Sequence, residues 1–498
     1  ISFDASAGPG EAVRVNADAA VDDTPFTFSL QAEPLVNLLQ RPTGPWRELV
    51  VEVRKGDVSF RANGSVERPF ETSGFDVDYT LSGAEIEKLL PIFDMVLPLQ
   101  GAYSLNGHFA DLPDRSVFDA LKIKSSGSDI RGRISVYKEQ ERPRVVAQLQ
   151  SDQLYLGKLL PVSDTEAAAD TEHPVIPDYE LPIERMREID GELEFKGKRL
   201  RTAAGDLGDI RFRATLKDGV FRLDPFEVRG WAGARIESDG LIDASRSPPV
   251  VKWNWVAHEL NYGVLLEQAG FAETVEGTLD VTLRLRGNGG TRREFLGDAD
   301  GQLIVVGQQG RFGSRRLDLW GSDLVTIMLS RDWRREDVTD LNCIVARIDI
   351  KDGIASSDKL LIDTQRITIG ATGTLDLESE KLDLVLAPRP KRASLVSLSN
   401  PVQVTGTLAA PEVAVTVLPR RRMASAGTGA LAGLINPGYL IFTFSQTGSR
   451  QANPCTAAVE QAIAMKGRSD EADEPLNAKP ERFSLFPGCT RSTRRLAP

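Results

Sequence analysis

Apolar and polar residues alternate with a period of two through most of this chain. In residues 210–217 and 279–286, every apolar side chain is followed by a charged or hydroxyl-bearing one. Residues 382–386 and 413–417 repeat the spacing of apolar side chains. Successive side chains of a β-strand point to opposite faces of the sheet, so each run predicts a strand with one apolar and one solvated face.

Asp-Gly pairs interrupt or border these alternating runs at residues 190–191, 218–219, 239–240, 300–301 and 352–353. Glycine adopts the positive φ of the tight turns that join antiparallel strands, which makes Asp-Gly a strong hairpin signal. The pattern therefore predicts an antiparallel β-meander rather than an array of alternating strands and helices.

A loose repeat divides the chain into similar units. Four segments, each with a strand-like run, a polar turn and a short apolar stretch, close on Leu-Leu at residues 39, 90, 160 and 266. Recurring units of this kind favour an elongated structure in which each unit contacts its neighbours. We expect N-terminal β repeats in residues 1–160, an acidic linker in 161–188, a second β region in 189–418 and a tail in 419–498.

Helical patterns are scarce. The best candidate covers residues 314–330, and shorter ones cover 84–93 and 456–466. A soluble protein does not leave many apolar strand faces bare. These faces must pack on each other in a sandwich or barrel, wind into a β-helix, or form a trough that something apolar fills. We expect a mainly β protein: an elongated antiparallel meander curled into a groove, with few short helices and a C-terminal helical tail.

Residues 423–448 carry no charge and are long enough to span a membrane. However, Asn436, Pro437 and Gly438 interrupt the segment and would break a helix there. A spanning helix, contact with a membrane surface and ordinary packing against the β body all remain open. We expect short apolar helical segments docked at one end of the β body.

The charge and motif content excludes several functions. The net charge of −11, from 60 basic and 71 acidic residues, argues against nucleic acid as a partner, because binding phosphates needs clustered basic residues. The chain has three histidines and none of the common hydrolase, nucleotide-binding or zinc motifs, so we expect neither enzymatic activity nor a metal or cofactor. Trp253 and Trp255, two residues apart, could form a sugar platform, although packing is the simpler reading.

Residues 298–310, 341–391 and 401–413 resemble the AsmA family of Gram-negative envelope proteins. The resemblance implies a periplasmic, β-rich body, held at the inner membrane by an anchor outside this chain. The chain begins at Ile1 without a start methionine, as in a fragment. The wider group is thought to carry phospholipid between membranes along β grooves, or to support outer-membrane assembly with an outer-membrane or assembly partner. A structural or assembly factor, and more weakly a polysaccharide-binding β protein, therefore stand beside the lipid-binding reading.

On the lipid-binding reading, the apolar positions of three strands line the groove and the neighbouring arginines face solvent. The predicted lining residues are Ile210, Phe212, Leu216, Leu279, Val281, Leu283, Leu285, Leu382, Leu384 and Leu386.

Three cysteines complete the candidate residues. They could be inert thiols of a cytosolic protein. In an oxidising compartment, Cys455 and Cys489 of the polar tail could instead form a disulfide while Cys343 stays reduced and buried. The periplasmic location implied by the family resemblance favours the second arrangement.

Overall fold

A computed structural model describes the larger part of the chain. The described residues are 2–21, 24–40, 44–86, 101–125, 127–138, 142–156, 175–176, 180–202, 205–268, 275–313, 338–365, 367–391, 401–415 and 455. The predicted helices 314–330 and 456–466, the uncharged segment 423–448 and most of residues 84–93 lie outside these ranges.

The described residues form one sheet of 26 strands. In chain order the strands are β1 (Ser2–Ser6), β2 (Ala12–Val21), β3 (Thr24–Pro34), β4 (Trp46–Lys55), β5 (Val58–Arg68), β6 (Ser73–Gly83), β7 (Tyr103–Asp111), β8 (Arg115–Ser125), β9 (Ser128–Tyr137), β10 (Arg144–Ser151), β11 (Leu154–Tyr155), β12 (Asp190–Thr202), β13 (Gly205–Lys217), β14 (Val220–Gly230), β15 (Arg235–Asp243), β16 (Val250–Asn261), β17 (Val275–Glu276), β18 (Thr278–Asn288), β19 (Asp300–Gly307), β20 (Gly310–Gly313), β21 (Val338–Lys351), β22 (Ile354–Thr364), β23 (Ile367–Asp376), β24 (Leu382–Pro390), β25 (Val402–Gly406) and β26 (Pro411–Val415).

The sheet is a meander with one parallel junction. Strands β1 to β10 pair antiparallel in sequence, and so do β12 to β16. The order continues through β18, β19 and β21 to β26, while β17 and β20 form a short side pairing. Strands β10 and β11 instead run parallel to β12. The predicted antiparallel meander is interrupted at this one junction, where a parallel neighbour needs a crossover connection rather than a hairpin.

Two of the five Asp-Gly pairs form the predicted hairpin turns. Residues 218–219 join β13 to β14 and residues 352–353 join β21 to β22, with positive φ at both residues of each turn. The other three pairs lie inside strands, so the hairpin prediction is wrong there. Glycine has a steric role at two of these sites: a Cβ on Gly240 would lie 2.6 Å from the Trp253 ring, and one on Gly301 would lie 2.0 Å from a backbone oxygen of β18.

Helices are few and short in the described part of the chain. They are α1 (Leu35–Gln40), α2 (Ile183–Glu188), α3 (Tyr262–Gln268) and α4 (Arg292–Gly297). Two 3-10 turns, Pro69–Glu71 and Trp231–Gly233, follow β5 and β14. Helix α4 begins with a capping box between Thr291 and Glu294. None of the described helices is both long and apolar enough to cross a bilayer.

A continuous apolar sheet face as the candidate functional site

The register of the sheet brings apolar residues of successive strands into rows that cross many strands. Leu283 on β18 stands opposite Trp255 on β16 and Leu303 on β19. Residues directly opposite each other share a face, so these pairings extend into one row, named here the Leu283 row. Its members from β1 to β7 are Ala5, Val15, Leu30, Val51, Ala62, Tyr79 and Gly107. After a register shift between β7 and β8, its members are Leu121, Gly132, Leu149, Phe195, Phe212, Phe226, Ser238, Trp255, Leu283, Leu303 and Ile348.

A second row runs beside the first from β13 to the last strand. Named here the Val281 row, it comprises Ile210, Val228, Ile236, Ala257, Val281, Val305, Ala346, Leu360, Ala371, Leu386, Val402 and Val415. Every member is apolar. Alternation within one strand produces such a row only when neighbouring strands pair in the matching register. Because the strands from β13 onward do pair in this register, the second half of the sheet has a continuous apolar face.

All ten predicted lining residues lie on this apolar face. The two rows pass through Ile210 and Phe212 on β13, and the same alternation places the other predicted positions of β13, β18 and β24 on that side. Leu382 is buried and the other nine are half-buried. Whether this face binds lipid stays a prediction.

Sequence reasoning did not place Trp253 and Trp255 on the lining face. They stand opposite Leu285 and Leu283, respectively, and Trp253 covers Gly240. The period-two spacing of the two tryptophans indicates that they share one face of a strand. Which residues of β18 they meet depends on the register between the strands. Trp255 packs against the buried residues of β14–β16, which agrees with the packing reading.

Buried clusters occupy the two ends of the strands and leave the middle of the face less covered. At one end, Val264 and Leu265 of α3 pack on a cluster around Ala257 and Leu260. At the other end, Ala299, Ile350 and Ala355 form a separate cluster. Between these ends, the large side chains of the Leu283 row in β13–β21 are only half-buried: they are Phe212, Phe226, Trp255, Leu283, Leu303 and Ile348.

The opposite face of the same strands is polar around Arg284. Arg284 stands opposite Asn254 and Gln302, in a row that begins at Asp239 and continues to Asp349. The Asn254 amide donates to Asp239 at 2.9 Å, and the Gln302 amide donates to Asp349 at 2.8 Å. Adjacent residues Leu283 and Arg284 therefore face different environments, as the alternation predicts.

Charged groups on this polar face have shifted pKa values. Burial raises the pKa of Asp239, with a further contribution from nearby Asp224, while the Asn254 amide and Arg284 oppose the rise. The pKa of Glu227 is lowered, chiefly because the Arg211 guanidinium donates to its carboxylate at 2.5 Å. The shift at Asp239 therefore reflects burial, whereas the shift at Glu227 reflects an ion pair across neighbouring strands.

The disulfide joins Cys343 to Cys455, with the Cα atoms 5.9 Å apart. The prediction that Cys455 pairs with Cys489 and leaves Cys343 reduced is therefore wrong, although Cys343 is buried as expected. Cys343 lies near the start of β21 on the polar side of the sheet, where Cys455 completes a small apolar cluster with Val345 and Leu361. Spatial packing, not shared location in the tail, decides the pairing; Cys489 lies outside the described residues.

A buried carboxylate lies beside this disulfide. Asp363 is 1% exposed and accepts hydrogen bonds from Thr368 at 2.5 Å and Asn342 at 2.7 Å. Lys391 pairs with it at 2.8 Å. These partners satisfy a charge that would be costly to bury alone.

The described histidines and acidic residues do not gather into a metal-binding group of three or more ligands. His108 lies between Asp76 and Asp78, at 3.3 Å and 3.0 Å, on an exposed strand surface. Glu192 and Glu194 form ion pairs with Arg144 and Lys196.

Two comparisons with known proteins point to the same protein family. The AsmA family model matches residues 99–360, which is more than half of the chain. The chain is also 23% identical over 433 residues to the AsmA family protein YhjG of Escherichia coli (strain K12). That alignment covers 82% of this chain and 63% of the relative, so the chain spans less than two thirds of the relative's length. No solved structure matches.

Proposed function

Because the chain belongs to the AsmA family, we propose that its apolar sheet face binds the acyl chains of phospholipids and lets them pass along the sheet. The observation that carries this proposal is the Leu283 row, which crosses its strands without a charged residue and keeps its large side chains from β13 to β21 half-buried. A lipid moving along this stretch would meet an apolar side chain on nearly every strand.

The dimensions of the rows suit acyl chains. Neighbouring strands lie about 4.8 Å apart, so the 18 strands that the Leu283 row crosses extend over about 80 Å. One acyl chain occupies about half of a 30 Å hydrocarbon core, or about 15 Å, and would cover three or four strands. The sheet could therefore hold several lipids in succession.

The energetics favour retention without a specific polar site. Each buried methylene contributes about 0.8 kcal/mol, so covering half of about 15 methylenes contributes roughly 6 kcal/mol per chain. Since the contribution is similar at each position along an apolar row, it binds a chain without fixing it at one place. A lipid headgroup would remain at the solvated rim.

The location and partners follow from the same proposal. We place the protein in the periplasm of a Gram-negative envelope, held at the inner membrane by an anchor outside this chain. A disulfide such as Cys343–Cys455 is typical of an oxidising compartment and supports this placement. The protein would take part in outer-membrane biogenesis as a lipid carrier, without enzymatic activity.

Photo-crosslinking in cells tests the proposal directly. A photoreactive side chain at position 283 should capture phospholipid, whereas one at position 284, on the polar face, should not. Mass spectrometry identifies the captured lipid. Equal capture at the two positions, or no capture at 283 in a folded protein, contradicts the proposal and favours a structural or assembly factor whose apolar face binds no lipid.

A further inference from the structure

One end of strands β3–β6 exposes large apolar side chains on two neighbouring elements. On α1, Leu35, Val36 and Leu39 are 41%, 50% and 70% exposed, and Phe70 on the turn after β5 is 76% exposed. Since β3 and β5 run in the same direction, α1 and this turn both follow the same end of the sheet. We name these four side chains the apolar tip.

Of the two elements that carry the apolar tip, α1 is uncharged, whereas the turn that carries Phe70 also holds Glu71 in an exposed ion pair with Arg68. Helix α1 has the sequence LVNLLQ and contains no charged residue, in a chain in which 26% of residues are charged. None of its residues is fully buried, and Leu38 packs onto the sheet. A short uncharged helix that directs most of its apolar side chains outward is poorly suited to water and well suited to an apolar environment.

The apolar tip is continuous with the proposed lipid-binding face. Leu38 packs on the cluster of Ala32, Leu49 and Val66, which also contacts Leu30 and Val51 of the Leu283 row. The same cluster includes Trp46, whose ring meets that of Phe70 edge to face at a centroid distance of 6.0 Å.

We propose that the apolar tip docks this end of the sheet onto a lipid bilayer, with Leu39 and Phe70 inserted among the lipids. The inference rests on the proposed function, because a face that carries acyl chains must receive them from a membrane. Aromatic residues such as the Trp46–Phe70 pair suit the region between headgroups and acyl chains. The absence of charge on α1 favours an apolar medium over a charged protein partner.

Vesicle flotation tests the docking. The 498-residue chain is mixed with vesicles of phosphatidylethanolamine and phosphatidylglycerol. We expect the chain to float with the vesicles, with little dependence on salt, since apolar insertion is not screened. The double substitution Leu39→Asp and Phe70→Asp should reduce the floating fraction at least tenfold.

A matched control separates insertion from a general effect of surface charge. Ile354→Asp introduces a carboxylate at another exposed apolar residue, 40% exposed, and should float like the unmodified chain. Circular dichroism and thermal unfolding check that the double variant is folded, which its exposed positions favour. A folded double variant that floats normally, or an unmodified chain that does not float, overturns the docking.

The outcome for docking can be told apart from the outcome for lipid binding. If flotation fails while position 283 still captures phospholipid in cells, the docking is wrong and the proposed function stands. If flotation succeeds and capture at position 283 fails, the docking stands and the proposed function is wrong. A dimer of the unmodified chain that the double variant dissociates, without flotation, would assign the tip to a second copy and also overturns the docking.

Discussion

Leu283→Asp is the substitution that tests the lipid-binding face most sharply. Leu283 is half-buried in the middle of its row, between Trp255 and Leu303. In the free protein an aspartate there keeps part of its contact with water. The cost to folding is therefore mainly the lost burial of half a leucine, about 1 kcal/mol.

Lipid binding should suffer more than folding. An acyl chain lying across Trp255, Leu283 and Leu303 would remove water from the new carboxylate without offering a hydrogen bond. Burying such a charge costs several kcal/mol. Even an effective cost of about 3 kcal/mol weakens binding roughly hundredfold. The substitution should therefore reduce lipid occupancy of this stretch while the protein remains folded.

The assay places the photo-crosslinker at position 303, across from the substituted residue, and measures captured phospholipid by mass spectrometry. Leu283→Asn has the same size as the aspartate but no charge and should give an intermediate loss. Lys252→Asp adds a carboxylate on the polar face, opposite Arg286, and should leave capture unchanged. A folded Leu283→Asp protein with normal capture at 303 would refute the reasoning, as would equal losses in Leu283→Asp and Lys252→Asp.

Three other expectations concern the sheet itself. Non-reducing peptide mapping should recover a Cys343–Cys455 link, and three free thiols would contradict this pairing. Because 112 residues separate the two cysteines, reduction of the disulfide should lower the free energy of unfolding by about 4–5 kcal/mol in the chain-entropy model. The pKa of Glu227 in the folded state is depressed below its ordinary value of 4.5. The ionised Glu227 carboxylate therefore stabilises the fold fully above pH 4.5, and this stabilisation is lost as the pH falls through the depressed pKa of the folded state. Denaturant unfolding between pH 5 and about pH 2 should therefore show a smaller loss of stability in Glu227→Gln than in the unmodified chain, and identical pH profiles would contradict the assignment. Gly240→Ala should lower the free energy of unfolding by about 1–3 kcal/mol, because the added Cβ would lie 2.6 Å from the Trp253 ring. Thermal or denaturant unfolding measures this change, and an unchanged free energy of unfolding would show that the ring moves away freely.

The sequence by itself determined the strands and the two sides of each strand. Side-chain alternation is a local property of extended backbone, so residues 279–286 already place Leu283 and Arg284 on opposite faces. The turns at 218–219 and 352–353 are local for the same reason: two consecutive residues with positive φ close a hairpin wherever flanking runs can pair.

Only the tertiary structure decided which residues of distant strands meet. Register between strands places Ile210, Val281 and Leu386 in one row, and no spacing within a single strand reveals that alignment. The glycines at 240 and 301 have the sequence of a turn, but they lie within strands where a side chain or backbone approaches too closely for a Cβ. The disulfide follows the same logic, because two cysteines far apart in sequence bond only where the folded chain brings their Cα atoms to within reach, here 5.9 Å.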